Sequence, residues 1–386
     1  MYKVRIGIVG IGNMGTAHSR WIAQGMIPEM ELCAVCDTDP KRLEWANVNL
    51  PESVVKFSDA STMFRSQLID AVIIATPHYQ HPPLAVEAIG CGLHVMSEKP
   101  AGVYTKQVAE MNEVASKSGK VFAVMFNQRT DHLYRKMKEI VDSGEFGQIK
   151  RTNWLITNWY RSQSYYDSGG WRATWAGEGG GVLINQCPHN LDLWQWICGM
   201  PVRVRAFCHE GKWHDIEVED DVTAYVEYEN GATGVFITST ADAPGTNRFE
   251  VMLEGGKLVC EDGKLHVFKL DINEREFNRV NKEGFKAPAF EHSIAETDGE
   301  SPQHIGVLKS FAAAILRGEP LIADGVEGIK GLSISNAMHL SFWLDKTVTM
   351  PLDEDLFLNE LKKRISTSKI KTQQTYFLDT TGTYSV

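Results

Sequence analysis

Three glycines near the start of the chain have the spacing of a phosphate-binding turn. Gly10, Gly12 and Gly15 form a G-x-G-x-x-G pattern in GIVGIGNMG, between an apolar run and the helical pattern of MGTAHSRWIAQG. Such a turn lets the backbone approach a pyrophosphate closely, and the following helix supplies free N–H groups at the positive end of its dipole. The glycine spacing alone is a weak signal, but the strand–turn–helix context predicts a dinucleotide site.

An acidic residue ends the second apolar run, where such a site would hold a ribose. Asp37 closes ELCAVCD, and its carboxylate can accept hydrogen bonds from both ribose hydroxyls of NAD while repelling the additional phosphate of NADP. Lys41 and Arg42 follow closely and would soften that preference. The alternative is a solvated loop aspartate. The neighbouring elements favour the ribose role, so we expect NAD rather than NADP.

A tract rich in tryptophan and tyrosine suits carbohydrate binding. It reads NWLITNWYRSQSYYDSGGWRATWAGEGGG over residues 153–181. Aromatic rings stack on the C–H faces of sugars, and charged side chains bond their hydroxyls. We predict Tyr160, Trp171 and Arg172 as substrate residues, although roughly half of the rings in the tract could belong to a sheet core or a subunit interface. The glycines of the tract indicate a lid or a pocket wall.

Two histidines follow the fourth predicted strand in TPHYQHP. His78 and His81 could suggest a metal pair, but no third ligand with metal-like spacing accompanies them. We therefore predict no metal site and expect His78 to contact the cofactor or the substrate.

The elements that would position these residues alternate between strands and helices over residues 1–125. The predicted strands include ELCAVCD, VVKF, DAVIIAT, LHVMSEKP and KVFAVMFN, each separated from the next by a helical pattern; Ser58 is the expected N-cap of the third helix. This alternation predicts a doubly wound parallel sheet, on which ligands bind at the carboxyl ends of the strands.

The pattern changes after a connecting helix in DHLYRKMKEIVDSGEFG. Long strand-like runs then alternate with hairpin signals, of which Asn230-Gly231 is the strongest, and predict a large open, mostly antiparallel sheet over much of residues 148–290. Helices return at HIGVLKSFAAAILRG and GVEGIKGLSISNAMHLSFW. We predict one domain over residues 1–125 and an α+β domain over 126–386. Its polar end, about 365–386, is a loose extension or an arm on a neighbouring subunit.

Composition excludes several classes of partner. The chain has 386 residues, 43% of them hydrophobic, with a formal net charge of -10, which argues against nucleic acid as the main ligand. No apolar stretch reaches membrane-spanning length and the first strand starts at once, so we expect a cytoplasmic protein without a membrane partner. The seven cysteines are scattered, and Cys33 and Cys36 read as core residues of a strand.

Several stretches together resemble the Gfo/Idh/MocA family of oxidoreductases: GIVGIGNMG, residues 71–100, residues 179–201 and HIGVLKSFAAAILRGEP, so that the resemblance spans roughly residues 3–345. Glu98-Lys99-Pro100 is far more specific than the glycine pattern. The resemblance implies an NAD-binding Rossmann domain followed by a substrate-binding and oligomerisation domain. It also implies NAD(P)-dependent oxidation or reduction of sugars, cyclitols and related polyols, in homodimers or homotetramers formed through the C-terminal sheet.

The resemblance also implies the reacting groups. Lys99 would stand beside the nicotinamide, where partial desolvation lowers its pKa. In INQCPHNLDLW, His189 matches the histidine that accepts the proton, whereas Asn185 stands where the family usually has aspartate and can only donate or accept hydrogen bonds. Asp192 would orient His189 or the substrate. Four residues separate Asn185 from His189, as on one helix face, although Pro188 suggests that the helix begins there.

These assignments define the expected sites. The expected catalytic residues are Lys99, His189 and Asn185, and the expected substrate residues are Tyr160, Trp171, Arg172, Asn185, His189 and Asp192. The expected cofactor-binding residues are Gly10, Gly12, Asn13, Met14, Asp37, Thr76, Pro77, His78, Glu98 and Lys99.

The predicted function is hydride transfer between NAD and a hydroxyl-bearing carbon of a sugar, glycoside or cyclitol, with sugar C3 as one candidate position. One alternative is an NAD-dependent glycosidase that works by transient oxidation and elimination, and another is a non-catalytic NAD-binding regulator. A fourth possibility, an oxidase of C-glycosides at C3, differs from the first only in its substrate.

Overall fold

The computed structural model describes residues 2–369, which form two β-sheets and the helices that cover them. The elements of the first sheet and its connections are β1 (Val4–Val9), α1 (Asn13–Ala23), β2 (Met30–Cys36), α2 (Pro40–Asn49), β3 (Val55–Phe57), α3 (Ala60–Phe64), β4 (Ala71–Ile74), α4 (His81–Gly90), β5 (His94–Ser97), α5 (Thr105–Ser118) and β6 (Phe122–Val124). Short 3₁₀ helices cover His78–Gln80 and Asn127–Thr130.

The first sheet confirms the predicted doubly wound parallel architecture. Its strand order is β3-β2-β1-β4-β5-β6, and every neighbouring pair is parallel. All four residues of β4 are buried, as expected for a central strand with helices on both faces. Because β4 lies between β1 and β5, the segments that follow these three strands meet at one edge. The glycine turn, Thr76 and Lys99 all come from these segments.

The second sheet is large and mixed. Its elements and the helices around it are α6 (His132–Asp142), β7 (Ile149–Ile156), α7 (Gln163–Asp167), α8 (Pro188–Cys198), β8 (Arg203–Glu210), β9 (Glu219–Glu227), β10 (Thr233–Ser239), β11 (Asn247–Leu253), β12 (Gly256–Glu261), β13 (Lys264–Leu270), α9 (Glu274–Val280), β14 (Phe290–Ile294), α10 (Gln303–Arg317), a 3₁₀ helix (Gly325–Glu327), α11 (Gly328–Leu344), β15 (Val348–Thr349) and α12 (Glu354–Thr367).

The nine strands of this sheet run in the order β14-β13-β12-β11-β7-β10-β9-β8-β15. Only the pair of β7 and β10 is parallel within the described residues, which confirms the mostly antiparallel prediction. Helix α8 packs against one face, where Trp194 stacks on Phe236 with ring centroids 5.4 Å apart. Phe207 and Tyr225 on β8 and β9 are exposed.

Helix α10 returns to the first sheet late in the chain. Its Val307, Leu308 and Phe311 are buried in the same cluster as Ile6 and Ile8 of β1. The first core therefore includes a segment from far beyond residue 125. The division between residues 125 and 126 stays a prediction.

Two local expectations need correction. The N-cap of α3 is Asp59, whose Oδ2 accepts from the Thr62 backbone N–H at 2.7 Å, rather than Ser58. Helix α12 continues to Thr367, and Lys369 N donates to Glu217 at 3.0 Å, so the predicted tail does not begin at residue 365. Its remainder, residues 370–386, lies outside the described residues.

None of the helices within residues 2–369 combines the length and the apolar character that crossing a bilayer requires. All seven cysteines of the chain are free thiols.

Candidate active site

The glycine turn after β1 is built for close backbone approach. Gly10 has a φ of +88°, and a Cβ on it would lie 2.7 Å from the carbonyl oxygen of Ala75. A Cβ on Gly15 would lie 1.8 Å from the carbonyl oxygen of Gly10, so a side chain there would break the packing of α1 on the turn. Gly12, in contrast, faces open space. Gly10 and Gly15 thus exclude a side chain on steric grounds, whereas Gly12 leaves the space in front of the helix open.

The start of α1 fits an anionic ligand. Gly12 is its N-cap, and no side chain caps the helix. The first N–H groups, which belong to Asn13, Met14 and Gly15, have no partner within the helix because the four leading donors of any α-helix lack one. These donors, the positive dipole end and the open space at Gly12 suit a pyrophosphate.

Asp37 lies beside this turn, at the end of β2. Its Oδ2 accepts from the Ile11 backbone N–H at 2.7 Å, and its Oδ1 accepts from the Asp39 backbone N–H at 2.9 Å. Each carboxylate oxygen has further acceptor capacity, so these bonds orient Asp37 and leave it able to accept from ribose hydroxyls. The turn and Asp37 together fit a dinucleotide.

Thr76, Pro77 and His78 follow β4 at the same edge. The Nδ1 of His78 lies 3.0 Å from the carbonyl oxygen of Glu178, and its ring makes an edge contact with Trp171 at 5.5 Å between centroids. Burial lowers the pKa of His78 well below its ordinary value, so the ring is neutral. These contacts tie the end of β4 to the aromatic tract.

His81 has a structural position. Both of its ring nitrogens lie 2.7 Å from backbone carbonyl oxygens, those of Pro100 and Thr76. Within the described residues, no group of three or more His, Cys, Asp or Glu side chains could hold a metal ion.

Glu98 is a buried carboxylate directly after β5. Its Oε1 accepts from His18 Nε2 at 2.7 Å, and its Oε2 accepts from the Lys99 backbone N–H at 3.2 Å. Burial would raise the pKa of Glu98, but the His18 bond and nearby positive charge outweigh it and lower the pKa to about 2. Glu98 is therefore ionised and places a negative charge next to Lys99.

Lys99 reaches from the first sheet to the segment before α8. Its Nζ donates to the backbone carbonyl of Asn185 at 2.7 Å, and the peptide bond to Pro100 is cis. Burial lowers the pKa of Lys99, while the negative charges of Glu98 and Glu178 oppose that effect. The ammonium is thus held at the junction of the two sheets, with a pKa below that of a solvated lysine.

His189 lies on the first turn of α8, which begins at Pro188. Only 9% of the residue is exposed, and its Nδ1 is buried without a hydrogen-bond partner among the described residues. Burial lowers the pKa of His189 well below its ordinary value, and the positive charge of Lys99 adds to the effect. The imidazole is therefore neutral and can accept a proton, and Lys99 is close enough to influence it.

Asn185 precedes α8 rather than sharing a helix with His189. Its Nδ2 donates to Glu178 Oε1 and, at 3.2 Å, to Tyr165 Oη. Tyr165 Oη also accepts from Arg172 Nη1 at 2.8 Å. The loop between β7 and α8 thus contributes a connected set of polar groups around the Lys99 contact.

Asp192 lies on α8 away from this set. Its two carboxylate oxygens accept from Arg129 Nε and Nη2, both at 2.7 Å, and Gln195 donates to one of them at 3.1 Å. The side chains of Asp192 and Arg129 are each 1% exposed. A substrate contact would require this ion pair to open, so the predicted substrate role of Asp192 is replaced here by a structural one.

The three predicted aromatic-tract residues differ in position. Trp171 and Arg172 lie together at the site, with the Arg172 guanidinium 4.7 Å from the Trp171 ring centroid and 4.6 Å from that of Tyr165. Tyr160 is 53% exposed, and its carbonyl accepts from Arg161. Trp171 and Arg172 therefore lie beside His78 and Tyr165, whereas Tyr160 lies at the protein surface.

Sequence reasoning missed three residues that contact the site: Glu178, Tyr165 and His18. The run GEGGG contained one signal, since a charged residue among glycines in a loop otherwise rich in rings invites a functional interpretation. Tyr165 lies in the aromatic tract, but nothing in the tract distinguished it from the other rings. His18 carried no comparable signal, because its partner Glu98 lies 80 residues away along the chain.

The chain matches two family models. Residues 4–126 match an oxidoreductase family model described as an NAD-binding Rossmann fold. Residues 134–259 match a GFO/IDH/MocA C-terminal domain. The resemblance inferred from the motifs is thereby confirmed, as is NAD as the cofactor.

The chain is also similar to proteins named as dehydrogenases. A 1-carboxy-3-chloro-3,4-dihydroxycyclohexa-1,5-diene dehydrogenase from Comamonas testosteroni is 30% identical over 236 residues, which are 59% of this chain and 56% of that enzyme. The myo-inositol 2-dehydrogenase of Thermotoga maritima is 24% identical over 91% of this chain and 99% of its own length. The D-glucoside 3-dehydrogenase of Escherichia coli is 28% identical over 59% of this chain and 68% of its own length.

Solved structures agree with the fold. The WlbA dehydrogenase of Bordetella pertussis, in complex with NADH and UDP-GlcNAcA, has a TM-score of 0.76 and 26% identity over 91% of this chain and all of that chain. Levoglucosan dehydrogenase in complex with NADH and L-sorbose has a TM-score of 0.74 over 92% of this chain and all of that chain. At 20% identity it supports the fold alone.

Proposed function

The chain belongs to the Gfo/Idh/MocA family of NAD-binding oxidoreductases, and on that premise we propose that it oxidises a hydroxyl-bearing carbon of a sugar, glycoside or cyclitol. One observation carries the proposal. The Lys99 ammonium, from the nucleotide-binding half, lies 2.7 Å from the carbonyl of Asn185, four residues before the neutral imidazole of His189. The positive charge of Lys99 also lowers the pKa of His189, so the two groups are near enough to interact. An ammonium and a proton acceptor in this relation suit one carbinol group.

The two groups have different tasks in this proposal. His189 accepts the hydroxyl proton, because its imidazole is neutral at ordinary pH. Lys99 stabilises the oxygen as it becomes alkoxide-like, and its lowered pKa favours proton exchange with that oxygen. Bound NAD supplies the acceptor for the hydride that leaves the same carbon. The product is the ketone, with one proton retained first by His189.

The geometry of the sheet edge supports a set of cofactor-binding residues. We propose that Gly10, Gly12, Asn13 and Met14 contact the pyrophosphate, and that Asp37 binds the ribose. The residues proposed to surround the rest of the cofactor are Thr76, Pro77, His78, Glu98 and Lys99.

For the substrate, we propose that Trp171 stacks on a sugar face and that Arg172 and Asn185 bond its hydroxyls. The Arg172 guanidinium lies over the Tyr165 ring and donates to its Oη at 2.8 Å, which holds the guanidinium in place. C3 of a glucoside is a candidate reaction position, because a relative that is 28% identical is named a D-glucoside 3-dehydrogenase.

The experiment is incubation of the enzyme and NAD with free sugars, inositols and glucosides, following NADH absorbance and product mass together. We expect an oxidised product, two hydrogens lighter, with one NADH formed per product. A cleaved glycoside without accumulated NADH would replace the dehydrogenase with a glycosidase, and tight NADH binding without any product would indicate a regulator. The Lys99→Ala variant is the matched control for non-enzymatic oxidation.

We also propose a homo-oligomer formed through the open face of the second sheet. Phe207 and Tyr225 are 54% and 42% exposed on the neighbouring strands β8 and β9, and Trp213, in the turn between these strands, is 57% exposed. Exposed rings on one sheet face favour association. Light scattering during size-exclusion chromatography tests this, and a monomeric mass would contradict it.

A further inference from the structure

The site contains a buried carboxylate to which the proposed reaction assigns no task. The Glu178 side chain is 2% exposed, and its Oε2 accepts from the Ala173 backbone N–H at 2.6 Å. Its Oε1 accepts from the Asn185 amide. Both oxygens thus accept from N–H donors, an arrangement that suits the ionised carboxylate because a protonated one would turn an acceptor into a donor.

These contacts fix which end of the Asn185 amide faces the pocket. Its Nδ2 carries two hydrogens, and both have acceptors, Glu178 Oε1 and Tyr165 Oη. Tyr165 is itself held by Arg172 at 2.8 Å. Turning the amide would bring its oxygen against the Glu178 carboxylate. The carbonyl Oδ1 of Asn185 is therefore the end that can accept a hydrogen bond from a substrate hydroxyl.

The same carboxylate acts on the lysine. Lys99 Nζ donates to the backbone carbonyl of Asn185 at 2.7 Å, while the side chain of Asn185 donates to Glu178. Asn185 thus contacts both charged groups, the Lys99 ammonium through its backbone and the Glu178 carboxylate through its side chain. The negative charge of Glu178 raises the pKa of Lys99 and so opposes the lowering that burial causes.

We propose that Glu178 is a positioning residue of the dehydrogenase site. Acting through Asn185, it holds the amide oxygen toward the substrate hydroxyl and keeps a negative charge facing Lys99. The inference rests on the proposed function for its catalytic meaning. It assigns Glu178 no proton transfer of its own.

Several other charged or titratable groups face Glu178. Arg172 Nη1 lies 3.9 Å from Oε1, and His78 contacts the Glu178 backbone carbonyl. Glu219 on β9 is a second carboxylate near Glu178; it accepts from the backbone N–H groups of Gly181 and Leu183, and its Oε2 lies 3.0 Å from His339 Nε2. Burial and Glu219 raise the pKa of Glu178, and Arg172 and the N–H donors counter that rise.

An unfolding cycle tests the contact without substrate. Asn185→Asp would place two buried carboxylates together, so we expect its melting temperature to fall below that of the wild type. Adding Glu178→Gln removes the like-charge pair, and we expect the double variant to recover most of the loss. If Asn185→Asp does not fold, recovery of soluble protein in the double variant is the equivalent result. Additive effects of the two substitutions would overturn the proposed contact.

A pH profile tests the action on Lys99. If protonated Lys99 is required, kcat/KM falls as the pH rises through its pKa, and Glu178→Gln should move that alkaline limb to lower pH by up to about one unit. Glu178→Asp, which keeps the charge, should restore the limb at least in part. The control is Glu113→Gln, which removes an exposed carboxylate paired with Lys117 on α5. If the alkaline limb of the kcat/KM profile does not move in Glu178→Gln, Glu178 has a purely structural role.

The two tests separate the two proposals. The unfolding cycle needs no turnover, so a non-additive result stands even if no sugar yields NADH. Additive unfolding together with normal NADH formation would overturn the role of Glu178 alone.

Discussion

Arg129 anchors the helix that carries His189, and replacing it should destabilise the protein strongly. The residue follows β6 of the first sheet and binds Asp192 on α8 through two bonds of 2.7 Å, while its Nη1 donates to Glu327 Oε2 at 2.5 Å. Arg129→Met keeps most of the side-chain volume but leaves Asp192 as a buried carboxylate whose remaining side-chain partner is the neutral Gln195.

The burial of the three groups sets the magnitude. The Arg129 and Asp192 side chains are 1% exposed and Glu327 is 27% exposed. Removing one member of a buried ion pair costs about 3–5 kcal/mol, and we expect this loss for Arg129→Met. Asp192→Asn keeps one acceptor and leaves Arg129 paired with Glu327, so its cost should be smaller, about 1–3 kcal/mol. Arg129→Met combined with Asp192→Leu should recover part of the loss, because no charge is then stranded in the core.

Urea unfolding followed by tryptophan fluorescence measures these differences. The matched control is Glu139→Gln, which removes an exposed carboxylate paired with Lys136 and should change the free energy of unfolding by less than about 0.5 kcal/mol. The reasoning is refuted if Arg129→Met costs less than about 1 kcal/mol, or if Asp192→Asn costs more than Arg129→Met. Because the pair holds α8, Asp192→Asn should also lower kcat while leaving NADH affinity unchanged.

Three further predictions concern the site. Lys99→Ala and His189→Ala should each lower kcat by about 10²–10⁴-fold with NADH affinity nearly intact; steady-state kinetics and fluorescence titration test this, and lost NADH binding would contradict it. Asp37→Ala should weaken NADH binding by roughly tenfold or more and relax discrimination against NADPH, whereas an unchanged ratio of the two dissociation constants would remove the ribose assignment. The lowered pKa of His189 keeps its imidazole neutral below the ordinary value of 6.5, so lowering the pH from about 7 to about 6 should not protonate this base. The prediction is contradicted if kcat/KM of the wild type drops over that range and a His189 variant that retains activity shows no such drop.

The parts of the site that could be predicted are those that end regular elements. Gly10 follows β1, and the order of elements in a doubly wound sheet determines where such strand ends lie. Lys99 and His189 were predicted from motifs that resemble those of the family, and they lie just after β5 and on the first turn of α8. The period of the apolar pattern and the glycine spacing are local signals. They need no knowledge of which distant segments meet.

The parts that could not be predicted depend on pairs of distant residues. Arg129 and Asp192 are 63 residues apart, and either alone reads as an ordinary charged residue of a helix or turn. His18 and Glu98 are 80 residues apart. A single sequence carries no record of such pairings, which is why Asp192 was expected at the substrate rather than in the core.

The wrong prediction of the N-cap of α3 has a local physical cause. Ser58 and Asp59 are adjacent and both are good helix caps, so sequence preference does not choose between them. Asp59 caps the helix with two hydrogen bonds. Its Oδ2 accepts from the backbone N–H of Thr62 and, at 2.6 Å, from Thr62 Oγ1. A two-bond cap on one carboxylate outweighs the single bond that a serine hydroxyl would accept at the preceding position.

The contact between Lys99 and Asn185 makes the position of the ammonium independent of the orientation of the Asn185 side-chain amide. Lys99 is held by a backbone carbonyl, so its position depends on where the chain runs before α8 and not on the side chain at residue 185. The side chain of Asn185 is in turn oriented by Glu178 and Tyr165. The ion pair of Arg129 with Asp192 holds the helix that follows. The ammonium, the amide and the helix that carries His189 are therefore each held by a different contact, and each contact can be perturbed by a substitution that leaves the other two in place.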